Sequence, residues 1–198
     1  MIVIIGAIII NINKPLQMDE LSTYFHCADK SLSDLIQANE SGVNMMPPVY
    51  FYIMWFVDKT VGLNITTMRA VSLILGVMTI LLLNNVLKSI FNSRNSSISI
   101  LTGISHCQIF IFSMCEARPY SLYLFLVLLL IKFSLNQKWK YSSITIVVLN
   151  FVIPSTFYIG GIYCLFICAF TILLKHLNKE SYKHYIISTF SGWILFLI

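Results

Sequence analysis

Charge is excluded from long stretches of this chain, and that exclusion constrains the fold more than any other feature. Residues 70–87 carry no Asp, Glu, Lys or Arg, and neither do residues 141–174. Membrane-crossing helices need about 20 mostly apolar residues. Runs near that length recur along the chain, which is 58% hydrophobic and 11% charged, whereas soluble domains are about 25% charged. The expected fold class is therefore all-α: a polytopic transmembrane helical protein. The first segment, "MIVIIGAIIINI", lacks the basic start and small-residue cleavage site of a signal peptide. It reads as a span.

Lysine and arginine concentrate in cytoplasmic loops, so their positions set the expected topology. Three clusters are assigned to the inside: Lys88 with Arg94, Lys132 with Lys138 and Lys140, and Lys175 with Lys179 and Lys183. Residues 14–47, with Asp19, Glu20, Asp29, Asp34 and Glu40, then face out, as do the segments near 57–69 and 114–120. The implied crossings are 1–13 outward, 70–87 inward, 98–114 outward and 119–134 inward. Residues 141–174 form a hairpin turning at Pro154, Gly160 and Gly161, and 185–198 begin another crossing. Within the first outer loop, "PPVYFYIMWFVDK" is too short to span and suits a short interfacial helix. "DKSLSDLIQANES" reads as a second, with Leu32, Leu35 and Ile36 on one face. The net charge of +5 is scattered between apolar runs and gives no reason to expect nucleic acid. Five cysteines show no metal-type spacing, and Cys164 and Cys168 read as small packing residues.

This topology puts two polar groups on one face. "MDEL" supplies Asp19 and Glu20, and "CEARPY" supplies Glu116 and Arg118; Arg69 opens another span at the same level. Ionisable groups at membrane depth are costly and point to function. Solvated loop charge and snorkelling arginines are the structural alternatives.

The order of four pieces goes further. "MDELSTYF", "PPVYFYIMW", "MRAVSLILGVMTILLL" and "CEARPYSLYLFL" together resemble the membrane glycosyltransferases of the GT-C fold, most closely family-39, the protein O-mannosyltransferase and aminoarabinose-transferase group. The four pieces run from about residue 18 to 130, with weaker helical similarity to the end, and the resemblance implies that residues 1–198 form one transmembrane domain, the N-terminal part of a longer module. It implies transfer of a sugar from a polyprenyl-phosphate donor to an acceptor lipid, glycan or protein outside the membrane. It gives Asp19 the role of catalytic base and Glu20 that of its helper, or of co-ligand for a divalent metal at Asp19/Glu20. Arg118, with Arg69 second, would bind the donor phosphate; Glu116 would hold Arg118, and Tyr120 would contact substrate. Met46 stands where these proteins often have His before the two prolines, and "PSTFYIGG" lacks their outer-turn His. The implied setting is an integral membrane, a bacterial inner membrane in preference to the endoplasmic reticulum. The alternatives are a catalytically incomplete remnant and a transporter-like multi-pass protein, the latter expected to show internal repeats.

Overall fold

The structure is a computed structural model. It describes residues 14–15, 17–41, 46–91, 94–105, 107–135, 142–179 and 181–197, together with Gly6 and Ile9. All regular structure among them is helical, and the chain packs as two units, residues 1–125 and 126–198. The expected first span, 1–13, apart from Gly6 and Ile9, and the positions His106, Lys138, Lys140 and Glu180 lie outside the description.

The first unit opens with three short helices, α1 (Met18–Cys27), α2 (Leu32–Glu40) and α3 (Val49–Val61). α1 begins just after Pro15, and its first-turn acids suit the positive end of the helix dipole. The Gln17 amide donates to Glu20 Oε2 at 3.2 Å, closing that turn. At α2, Ser31 and Asp34 exchange side-chain and backbone bonds, each 3.2 Å, in a reciprocal capping box. α3 follows the two prolines, which lack the amide donors a helix start leaves unpaired. It ends at Gly62, whose φ of +84° would strain any residue with a Cβ. Asp58, near that end, accepts from the Leu63 and Asp29 amides, both at 3.2 Å. Trp55 Nε1 donates to the Lys30 carbonyl at 2.9 Å. The far end of α3 is thus tied to the α1–α2 turn. Of the apolar residues expected to share a buried face of α2, only Leu35 is buried; Leu32 and Ile36 are exposed.

The unit continues with α4 (Ile65–Ile90), α5 (Arg94–Ser105), α6 (Gln108–Cys115) and the start of α7 (Tyr120–Leu135). Asn64 caps α4 by accepting from the Thr67 amide at 2.8 Å. With 26 residues, α4 is about 39 Å long at 1.5 Å per residue, enough to cross a bilayer core. Residues 98–114 are not the single crossing helix expected. One helix ends at Ser105 and the next begins at Gln108, with Cys107 extended between them. The run before the break is rich in Ser, Thr and Gly, which propagate a helix poorly. α4 and α6 approach closely where a Cβ at Gly76 would run into the Met114 side chain. Met114, Phe110 and Cys115 form the local core, flanked by Leu73, Val77, Ile80, Ile111 and Leu124.

The second unit holds the rest of α7, then α8 (Ser142–Thr156), α9 (Gly160–Leu177) and α10 (Lys183–Leu197). Two helices separated by residues 157–159 occupy the 141–174 stretch, as the expected hairpin requires. Pro154 lies inside α8, so it does not form the expected turn, and Gly160 and Gly161 open α9 instead. α8 and α10 pack tightest, because a Cβ on Gly192 would sit 2.5 Å from the Val147 carbonyl oxygen. The core holds Leu130, Ile146, Leu149, Ile153 and Tyr185, with Cys164 and Cys168 buried and unbridged. Tyr185 Oη meets Ser134 Oγ at 3.1 Å. Lys175, expected in a loop, is buried in the last turn of α9. By length and composition α4 and α9 are each able to cross a membrane, and α7 and α8 are shorter apolar helices.

Candidate active site

Neighbouring residues on a helix point about 100° apart, and that separates the two adjacent acids of α1. Glu20 is fully buried, while the Asp19 side chain is about two-thirds exposed. The buried face of α1 is Glu20, Thr23, His26 and Cys27. It packs on α3: Cys27 Sγ lies 3.6 Å from the Phe51 carbonyl, and the His26 ring stands 4.5 Å from that of Phe51. Burial pushes the Cys27 thiol up to about 12, so it stays protonated.

Glu20 is held from every side. Its Oε1 accepts from Arg69 Nε at 2.9 Å and from the Ala117 amide at 3.0 Å. Its Oε2 accepts from Arg69 Nη2 at 2.6 Å and the Gln17 amide at 3.2 Å. Arg69, in the first turns of α4, also donates to the Lys14 and Pro15 carbonyls at 3.0 and 3.2 Å. Burial alone would raise the Glu20 carboxyl. The Arg69 hydrogen bonds and the two amides outweigh it and hold the carboxyl below its ordinary value. Glu20 and Arg69 therefore join three segments distant in sequence: α1, α4 and the 116–118 turn.

That turn carries two further ion pairs. Lys14 Nζ meets Glu116 Oε1 at 3.0 Å with both side chains buried, and its ammonium stands 4.1 Å over the Phe112 ring. Arg118 Nη2 meets Asp19 Oδ2 at 3.1 Å. Arg118 Nη1 lies 3.4 Å from both the Asp19 carbonyl and Thr23 Oγ1, and its Nε is buried with no hydrogen-bond partner. Tyr50 and Ser72 stand beside one another, their buried hydroxyls outside hydrogen-bonding geometry.

Five of the six residues singled out from sequence thus meet in one cluster, although Asp19 and Arg118 are 99 positions apart. Three details differ from expectation. The Glu116 carboxylate takes Lys14, and Asp19 is the acid that holds Arg118. Arg69 is committed to Glu20 and to loop carbonyls, which leaves Arg118 as the arginine with an open donor. Glu20 has its acceptor positions filled by Arg69 and the Gln17 and Ala117 amides, so it does not bond to Asp19 as the expected helper would. Tyr120, the sixth, begins α7 two residues beyond Arg118 and is partly buried. Lys14 and Thr23 were not anticipated. The only sequence signal for Lys14 was a lone cation directly after the first apolar run.

Among the described residues all regular structure is helical, two helices are long and apolar enough to cross a membrane, and a cluster of paired acids and cations joins α1, the start of α4 and the 116–118 turn. The dolichyl-phosphate-mannose-protein mannosyltransferase family matches residues 45–198, and the chain belongs to that family. The match contains Arg69, Glu116 and Arg118 and begins after Asp19 and Glu20. No curated protein and no solved structure matches the chain.

Proposed function

We propose that this protein transfers a sugar from a polyprenyl-phosphate donor to an acceptor at a membrane surface, with Asp19 as general base and Arg118 on the donor phosphate. The observation that carries the reading is the Asp19–Arg118 pair itself: an exposed carboxylate 3.1 Å from a buried guanidinium whose Nε is unpartnered. A glycosyl transfer needs both groups within one substrate's length. The acceptor hydroxyl is a weak nucleophile and gives its proton to Asp19 as its oxygen bonds to the anomeric carbon. The bond from that carbon to the phosphate oxygen breaks, and its electron pair leaves with the polyprenyl phosphate. Arg118 offers the departing charge a planar pair of N–H donors.

The remaining charges position these two. Glu20 and Arg69 lock α1 against the start of α4, which fixes Asp19. The Ala117 amide bonded to Glu20, with the Lys14–Glu116 pair, fixes the turn that carries Arg118. The exposed apolar residues Met18, Phe25 and Phe56 on α1 and α3 suit short helices lying at a bilayer interface, where a lipid carrier presents its headgroup.

The test is a transfer assay on the membrane-embedded protein with a polyprenyl-phosphate sugar. Acceptor-dependent release of polyprenyl phosphate, lost in Arg118→Lys, is expected. Lysine keeps the charge but not the planar fork. Absence of release with the unmodified protein across hydroxyl-bearing lipid, glycan and protein acceptors would remove the enzyme reading and favour an inactive remnant.

A further inference from the structure

The two arginines of the cluster use the same edge of the guanidinium differently. Nε and Nη2 point the same way and together make the side-on fork that grips two oxygens at once. Arg69 spends that edge fully on Glu20, at 2.9 and 2.6 Å. On Arg118 the edge is half spent: Nη2 faces Asp19 Oδ2 at 3.1 Å, while Nε is buried and unpartnered. A buried N–H without an acceptor is costly, so the site is built for an oxygen that Asp19 does not supply. Nη1 has only contacts at 3.4 Å, to the Asp19 carbonyl and Thr23 Oγ1, and points along the other edge.

We propose that the Nε/Nη2 edge of Arg118 is the seat of the donor phosphate and that Asp19 occupies half of it until the donor arrives, so that donor binding is the event that frees the base. This rests on the glycosyltransferase reading above. A phosphate gripping both nitrogens displaces the Asp19 carboxylate from Nη2. Before that, the carboxylate is held on the guanidinium and turned from an acceptor hydroxyl; afterwards it stands beside the sugar, unpaired and placed to take the acceptor proton. The binding order follows: donor first, acceptor second. An acceptor arriving alone meets a masked base.

The experiment measures equilibrium binding of polyprenyl phosphate, without sugar, to the full-length protein in lipid nanodiscs. Three forms are compared: unmodified, Asp19→Asn and Asp29→Asn. Asp19 competes for Nη2, so its removal should tighten binding. The gain should match the modest worth of a largely exposed ion pair, about 1.5- to 5-fold. Asp29 is exposed in the turn after α1 and makes no contact with Arg118, so Asp29→Asn removes equal charge from the same loop and controls for through-space attraction. Tighter binding in Asp19→Asn, absent from Asp29→Asn, supports the shared seat. Unchanged or weaker binding in Asp19→Asn, or an equal gain in both variants, overturns it and leaves the glycosyltransferase reading standing. No binding to the unmodified protein overturns that reading itself.

Discussion

Arg69 grips Glu20 through two parallel hydrogen bonds, 2.9 and 2.6 Å long, in a site closed to solvent. Such a pair contributes little net stability compared with an apolar replacement, but breaking it is expensive because the survivor is a buried, uncompensated charge. Glu20→Gln is expected to destabilise the protein by about 3–5 kcal/mol. Removing both charges in Glu20→Gln/Arg69→Met should cost less than the sum of the single changes. Thermal unfolding of the four forms in the same detergent checks this.

Glu20 also sets an acid limit. Its carboxyl is held below the ordinary value in the folded protein, so the unfolded chain binds the proton more readily. The Glu20 contribution to stability is therefore fully present above the ordinary glutamate range, near pH 4.5, and is lost as pH falls through the lower folded value. Unfolding midpoints measured from pH 7 downward should fall more steeply for the unmodified protein than for Glu20→Gln.

Lys14 and Glu116 form a second buried pair, with Lys14 also over the Phe112 ring. Lys14→Met keeps the apolar stem but strands Glu116, and the 116–118 turn should loosen. The expected signature is a weaker donor interaction, seen as a higher KM for the polyprenyl-phosphate sugar with a smaller change in kcat. A fall in kcat at unchanged KM would place Lys14 nearer the reacting atoms than its contacts suggest.

In the second unit, Gly192 permits α10 to touch the α8 backbone. A Cβ there meets the Val147 carbonyl oxygen, which cannot swing aside as a side chain can. Gly192→Ala should therefore cost about 1–3 kcal/mol, the usual range for overpacking. Gly76→Ala should cost less, because the obstructing Met114 is long and flexible. Comparing the unfolding midpoints of the two alanine variants tests that ranking.

The spans and the site were legible in the sequence to different degrees. Charge-free runs marked α4 and α7 to within a few residues, because in those helices apolarity is the main signal. α1 left no such trace. Its buried face is Glu20, Thr23, His26 and Cys27, while Met18 and Phe25 are exposed, so the usual relation of polarity to burial is inverted and hydrophobic periodicity points the wrong way. The site residues were readable as types in separate stretches of the chain, but their pairing was not. Whether Glu116 takes Arg118 or Lys14 depends on where residue 14 lies in space, and nothing in the local sequence fixes that. The break between α5 and α6 was similarly hidden, since short Ser- and Thr-bearing runs look alike whether a helix continues or stops.

The proposed base is Asp19, and turnover of Asp19→Asn at saturating donor decides that role. Asparagine keeps the size of the side chain and removes its basicity. General-base catalysis is worth about 10²- to 10⁴-fold, so kcat should fall by that factor while the polyprenyl-phosphate sugar still binds. Turnover within a few-fold of the unmodified protein would remove Asp19 from the chemistry.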